Sequence, residues 1–194
     1  MIHAKFVLSA ASAADFPVTG LPEIAMVGRS NVGKSTLINT LVKQKIARTS
    51  AAPGKTRLAN YYLIQDSFYL VDLPGYGYAR GGLESIEDFE ALTKQYFDPS
   101  VQPGRRLAGV LHLVDARHPD LRQDTAAHQW VLRRGVPVAV VASKIDKLNQ
   151  SERAQTLRLL GGRYDMVIAE SATVGTGIDT IWKTILGWAL QSEP

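Results

Sequence analysis

No cysteine occurs among the 194 residues, which excludes disulfides, thiolate metal sites and cysteine nucleophiles at once. No run of about 18 uncharged apolar residues occurs either, so no membrane-spanning helix is expected. The first twenty residues, MIHAKFVLSAASAADFPVTG, lack the basic start and long apolar stretch of a secretory signal. A cytoplasmic location is the expectation that follows. Internal repeats, low-complexity tracts and composition breaks are missing too. The chain is therefore read as one domain over 1–194, with 1–21 as an arm or first strand and 22–190 as the core. Charge of one sign is also scarce: 22 Lys and Arg against 18 Asp and Glu leave a net +4, which neither demands nor forbids a nucleic-acid partner.

What the chain does have is a regular alternation. Continuous apolar runs at 23–27, 58–64, 68–71, 109–114, 136–142 and 166–169 read as strands covered on both faces, the pattern of a parallel sheet. Helical patterns fill the gaps at 34–42, 86–96, 123–133, 152–160 and 178–190. Ser85, three residues before Asp88, looks like the start of a capping box for the second of these. The runs 58–64 and 68–71 lie so close that they read as an antiparallel hairpin at the edge. The predicted class is α/β in three layers, a mostly parallel sheet of about six strands with one antiparallel edge strand.

The stretch GRSNVGKST follows the first of these runs and opens a helix. Gly28, Gly33, Lys34 and Ser35 match G-x-x-x-x-G-K-[ST], with Arg29, Ser30, Asn31 and Val32 as spacer and Thr36 after it. The chemistry needs these types. Gly33 lets successive backbone N–H groups point at an anion, and the helix start adds its positive end. Lys34 reaches the outer phosphates and the Ser35 hydroxyl ligates Mg²⁺. The expected ligand is a nucleoside polyphosphate.

About 40 residues later a strand ends in Val-Asp-Leu-Pro-Gly. Asp72 is expected to hold a metal-bound water, with Leu73 and Pro74 shaping the turn and the Gly75 N–H meeting a γ-phosphate. D-x-x-G is weak alone; its place after a strand and a phosphate loop gives it weight. The base is read at Ser143-Lys144-Ile145-Asp146. A carboxylate there accepts from guanine N1–H and N2–H₂, donors that adenine lacks, while the Lys144 stem lies against the base plane. A nucleotide kinase would need a lid and an acceptor-substrate site, and neither shows.

Together these motifs resemble the translation-factor-like GTPases of the TRAFAC class. More narrowly the chain resembles the EngB family (also called YihA or YsxC), bacterial GTPases of large-subunit ribosome assembly and cell division. The match is carried by GRSNVGKST, ARTSAAPGKTRLANYY, LVDLPGYGYA, DARHP and SKIDKL. The resemblance implies a Ras-like P-loop GTPase fold, GTP and GDP as ligands, Mg²⁺ held by Ser35, Thr56 and Asp72, and catalytic roles for Lys34, Thr56, Gly75 and Asn31. It assigns Thr56 as the switch threonine, within the nucleotide-contacting segment Gly54, Lys55, Thr56, Arg57 and Leu58; the residues alone could equally nominate Thr49. Around the base it adds Glu170, Ser171 and Ala172.

The chain departs from the family pattern in three ways. Ser143 replaces the usual asparagine or threonine and is short, so a weaker tie to the phosphate loop is expected. Ala172 stands where a second serine is common, and the N-terminal segment is short. Ras-like proteins place a water-orienting glutamine after D-x-x-G; here it is Tyr76, which implies slow turnover that a partner accelerates. Asn31 either coordinates K⁺ beside the phosphates, as in related potassium-activated GTPases, or only stabilises its loop.

For the partner surface, Arg48, Lys55, Arg57 and Arg80 with Tyr76 and Tyr78 suit RNA, while Tyr61 and Tyr62 are expected in the core. The pairs Arg105-Arg106, Arg117-His118 and Arg133-Arg134 are read as solvated. The expected partner is a large-subunit precursor, its rRNA and proteins, engaged by a monomer. The other reading is a nucleotide-regulated module docking to a division or rRNA partner, with hydrolysis incidental.

Overall fold

The structure, a computed structural model, describes residues 2–48, 58–77 and 84–191, with the backbone alone for 84–90. Among the described residues one sheet contains β1 (Ala4–Ala10), β2 (Pro22–Gly28), β3 (Ala59–Ile64), β4 (Phe68–Asp72), β5 (Arg106–Asp115), β6 (Val138–Ser143) and β7 (Val167–Ala169). Their order across it is β1-β3-β4-β2-β5-β6-β7. The helices are α1 (Lys34–Val42), α2 (Glu84–Phe97), α3 (Arg122–Leu132), α4 (Gln150–Gly161) and α5 (Ile178–Ala189). No helix among these residues is long and apolar enough to cross a membrane.

Strand β2 is buried along its whole length because it lies between β4 and β5, parallel to both. Its side chains alternate between two layers. Ile24 and Met26 pack with Leu37, Ile38 and Leu41 of α1 and Ile181 and Ile185 of α5. Ala25 and Val27 pack with Leu92, Tyr96 and Phe97 of α2 and Val131 of α3. A third cluster joins Val140 and Ala142 of β6 to Leu160 of α4 and to Tyr164. Three layers result, as the alternating apolar runs require. Two tryptophans tighten the first layer. Trp182 donates its indole N–H to the Leu41 carbonyl at 3.0 Å, and Trp188 covers Gly109 so closely that no Cβ fits there.

The sheet has seven strands rather than about six, because the N-terminal segment forms β1. It pairs antiparallel with β3, which in turn pairs antiparallel with β4, so β3 alone runs against the rest and β1 takes the outer edge. A register shift between Phe6 and Leu8 bends that edge, and irregular edges discourage pairing with other chains. Helix α2 begins two residues earlier than predicted, which puts Ser85 inside the helix instead of at its cap. Tyr61 and Tyr62 are core residues, 0% and 3% exposed. Arg105, read as solvated, is buried instead. Its guanidinium lies 4.1 Å from the Tyr96 ring centroid and 3.9 Å from the Glu23 carboxylate, and a buried cation needs such partners.

Candidate functional site

Five parallel strands end on one side of the sheet, and their last residues carry the predicted motifs. At the end of β2, Gly28 leaves no room for a side chain: a Cβ would stand 2.8 Å from the Leu113 carbonyl oxygen. The loop then passes through Asn31 at φ 62° and Gly33 at φ 118°. The second value is closed to residues with a Cβ, which is why glycine stands immediately before α1. The Lys34 ammonium folds back over this loop, 3.4 Å from the Gly28 carbonyl. It also lies 3.9 Å from Asp72 Oδ1.

Asp72, the last residue of β4, accepts the Ser35 hydroxyl at 2.7 Å. A half-buried hydroxyl beside a buried carboxylate forms the hard oxygen pair that suits Mg²⁺, and Asp72 Oδ1 has no hydrogen-bond partner among the described residues. Burial pushes the Lys34 ammonium down and the Asp72 carboxyl up; each charge, by facing the other, opposes those shifts. Beyond Asp72, Gly75 lies against the phosphate loop. The Ser30 hydroxyl donates to the Gly75 carbonyl at 3.2 Å, the Ser30 N–H donates to the Tyr76 carbonyl at 3.0 Å, and a Cβ on Gly75 would be 2.7 Å from Ser30 N. Thr36 is exposed on the first turn of α1.

The base side is built at the ends of β6 and β7. The Ser143 hydroxyl bonds the Val32 carbonyl at 2.9 Å and the Val114 carbonyl at 3.2 Å. The tie to the phosphate loop, expected to weaken with serine, is made. Lys144, at φ 60°, sends its ammonium to the Asn31 carbonyl at 2.8 Å and to Asp115 Oδ2 at 2.9 Å. Asp146 sits in a short 3-10 turn and accepts the Ser171 hydroxyl at 2.7 Å. That bond lowers the Asp146 carboxyl below its usual range. Ala172 follows, half-buried.

A sequence profile described as "50S ribosome-binding GTPase" matches residues 23–144. The probable GTP-binding protein EngB of Pelotomaculum thermopropionicum is 40% identical over 192 residues, covering 96% of this chain and 95% of that one. The chain belongs to the EngB family of GTPases. A crystal structure of a probable GTP-binding protein EngB superposes with a TM-score of 0.70 at 23% identity, over 86% of this chain and 98% of that one. Aquifex aeolicus Era bound to GDP and AlF4⁻ superposes at 0.71 with 24% identity, over 89% of this chain and 58% of that one. These two likenesses concern the fold.

The fold of this EngB-family chain brings together Gly28 to Thr36, Asp72 to Gly75, Ser143 to Asp146 and Glu170 to Ala172. Three of these residues turn their side chains inward: Val32, Leu73 and Ile145 are 2%, 1% and 3% exposed and pack in the core clusters. Leu58 is exposed just ahead of β3. Gly54, Lys55, Thr56 and Arg57, with Thr49, Tyr78 and Arg80, lie outside the described residues. Arg48 is exposed. Tyr76 is not surface in the way an RNA contact requires, because its hydroxyl is 2.7 Å from both His112 Nε2 and Asp124 Oδ1.

The surroundings of several side chains near the site are not legible from the motifs. Asp115 was legible only as part of DARHP; here burial raises its carboxyl, and hydrogen bonds from Arg117 and Lys144 outweigh that and hold it well below the usual range. Arg117 is exposed, as read, and grips Asp115 through two nitrogens at 2.9 and 2.7 Å. Glu170 is 3% exposed, and burial pushes its carboxyl up to about 7. Burial likewise lowers His112 to about 3, so the ring is neutral at physiological pH.

Proposed function

We propose that this EngB-family GTPase, a single-domain monomer of the cytoplasm, binds GTP and GDP with Mg²⁺ and times a step in large ribosomal subunit assembly, on which cell division and septation depend. The observation that carries the nucleotide reading is the convergence of Lys34, Ser35 and Asp72 with Lys144, Asp146 and Ser171 at the carboxyl ends of parallel strands. Ligands of open α/β sheets bind at such ends. Lys34 and the loop N–H groups take the phosphates, and Ser35, Asp72 and Thr56 take the metal. Mg²⁺ held there would supply charge neutralisation for the phosphates. Asp146, already oriented by Ser171, accepts the two guanine donors, while Lys144 lies along the base. Contacts by Gly54, Lys55, Arg57 and Leu58 belong to the same proposal.

Turnover is slow until a partner engages the switches. Tyr76 stands where a water-orienting glutamine would, and its hydroxyl is committed to His112 and Asp124. Asn31, exposed on the phosphate loop with its backbone carbonyl tied to Lys144, is free to direct its side chain to K⁺. The ribosomal part is supported by the profile that spans 23–144 and by its description.

Displacement of a fluorescent GDP analogue tests the site directly: GTP and GDP should compete and ATP should not. Equal competition by ATP overturns the guanine reading. For the biology, depletion should make large-subunit precursors accumulate, and unchanged ribosome profiles would reject the assembly role. Single-turnover hydrolysis should be faster in K⁺ than in Na⁺ at equal ionic strength; equal rates remove K⁺ from the proposal.

A further inference from the structure

The residue after Gly75 is anchored from two sides. Its backbone bonds the phosphate loop through Ser30, and its side chain runs to the opposite wall, between β5 and α3. There the Tyr76 hydroxyl donates to Asp124 Oδ1 at 2.7 Å. With its single proton so used, the hydroxyl accepts from His112 Nε2 at 2.7 Å, which fixes the tautomer of that neutral ring. His112 is fully buried on β5, on the α3 side of the sheet, and its ring stacks on His128 of α3 at 5.6 Å between centroids. Asp124 is fully buried in the first turn of α3.

Polar groups buried like this cost stability where they lack partners; the D-x-x-G segment supplies one to His112 Nε2 and one to Asp124 Oδ1, while His112 Nδ1 and Asp124 Oδ2 have none among the described residues. Gly77 follows at φ 79°, a backbone setting that favours glycine. Tyr76 is thus held between the phosphate loop and α3.

We propose that His112 and Asp124 are positioning residues for GTP hydrolysis: by holding the Tyr76 hydroxyl between β5 and α3, they fix the Gly75 backbone against the phosphate loop. They touch neither nucleotide nor water; they act through Tyr76. The effect of losing them falls on the triphosphate state, because only there does the Gly75 N–H have a γ-phosphate to meet. This rests on the reading of Gly75 as the γ-phosphate contact.

The test compares Tyr76→Phe, Asp124→Ala, Asp124→Asn and Gly75→Ala in full-length protein, by single-turnover GTP hydrolysis, GTP and GDP affinity, and thermal melting. Tyr76→Phe and Asp124→Ala should each slow hydrolysis roughly tenfold, the scale of one lost charge-assisted hydrogen bond. GDP affinity should stay within about twofold, since the diphosphate does not call on Gly75. Asp124→Asn keeps an acceptor for the Tyr76 hydroxyl and should retain most of the native rate, which a charge effect would not allow. If Tyr76→Phe and Asp124→Ala melt earlier but hydrolyse GTP at the native rate, the network is structural only and the proposal is overturned. Loss in Gly75→Ala without loss in those two overturns the proposal alone. Native rates in all the variants overturn the reading of Gly75 as well.

Discussion

Asp146 and Asp72 are two carboxylates of the proposed nucleotide site, one on the base side and one on the phosphate side, and they are held in opposite ways. Asp146 has Ser171 on one oxygen at 2.7 Å and Lys147 beside the other at 3.3 Å, and its neighbour Lys144 is tied down twice. Asp72 is buried with one oxygen on Ser35 and the other without a hydrogen bond among the described residues, the Lys34 ammonium standing 3.9 Å away. Base selection rests on side chains that are already oriented, as strong discrimination demands. The phosphate side stores opposite charges at a distance and has an acceptor, Asp72 Oδ1, still to satisfy. On the proposed reading, guanine recognition uses groups that the fold already ties in place, and the phosphate side uses charges held apart.

Lys34→Ala should break the phosphate side most severely. It removes the phosphate cation and strands a buried carboxylate, a change that costs about 3 to 5 kcal/mol of folding stability when a buried pair loses one member. Isothermal titration should detect neither GTP nor GDP binding, and melting should fall with it. Asp146→Asn breaks the other side without the stability loss. GTP affinity should drop roughly 100-fold or more, and xanthosine triphosphate should now compete, because an amide donor meets the xanthine carbonyl. Unchanged GTP affinity would put base selection elsewhere.

A smaller change sharpens the comparison. Ser171→Ala leaves Asp146 intact but unoriented, and GDP affinity should fall about tenfold, the scale of a hydrogen bond to a charged group; stopped-flow release of labelled GDP reads it. The smallest effect concerns pH. Glu170 is raised to about 7 in the folded chain against an ordinary 4.5, because it is buried. Its neutral form is the one folding favours, so it contributes stability that is fully present below pH 4.5 and is lost as pH rises through about 7. Glu170→Gln should therefore flatten the fall in melting temperature between pH 5 and 8. Part of the slope should remain, because Glu23, also raised to about 7 by burial, is untouched.

Local chemistry was legible in the sequence and distant partners were not. Helix α1 was predicted to the residue, because a glycine that must take φ 118° precedes it and its apolar positions repeat at helical spacing. The edge strand β1 was read only as an arm or strand, since its outer residues stay exposed, Phe6 at 49% and Val7 at 39%, and no clean alternation marks it. The phosphate and guanine motifs stand out because each is contiguous. The groups that orient them come from elsewhere in the chain: Ser171 is 25 positions from Asp146, Asp115 is 29 from Lys144, and Asp124 is 48 from Tyr76. Arg105 was misread for the same reason, as nothing near it announces Glu23. A pattern search finds what touches the ligand more readily than what holds it in place.

Helix α1 begins at the phosphate loop and ends at Leu41 and Val42, where Trp182 of α5 is bonded to its backbone. That indole gives the molecule a built-in optical probe. Because that indole is bonded to the last turn of the helix that opens at the phosphate loop, its emission is a label-free place to look for any displacement of α1. Trp130, wedged on the opposite face between Phe97 and Arg134, supplies a second channel, tuned to α2 and α3. With Trp188 replaced by phenylalanine throughout, replacing Trp130 or Trp182 in turn leaves a single indole and makes the two layers separately readable.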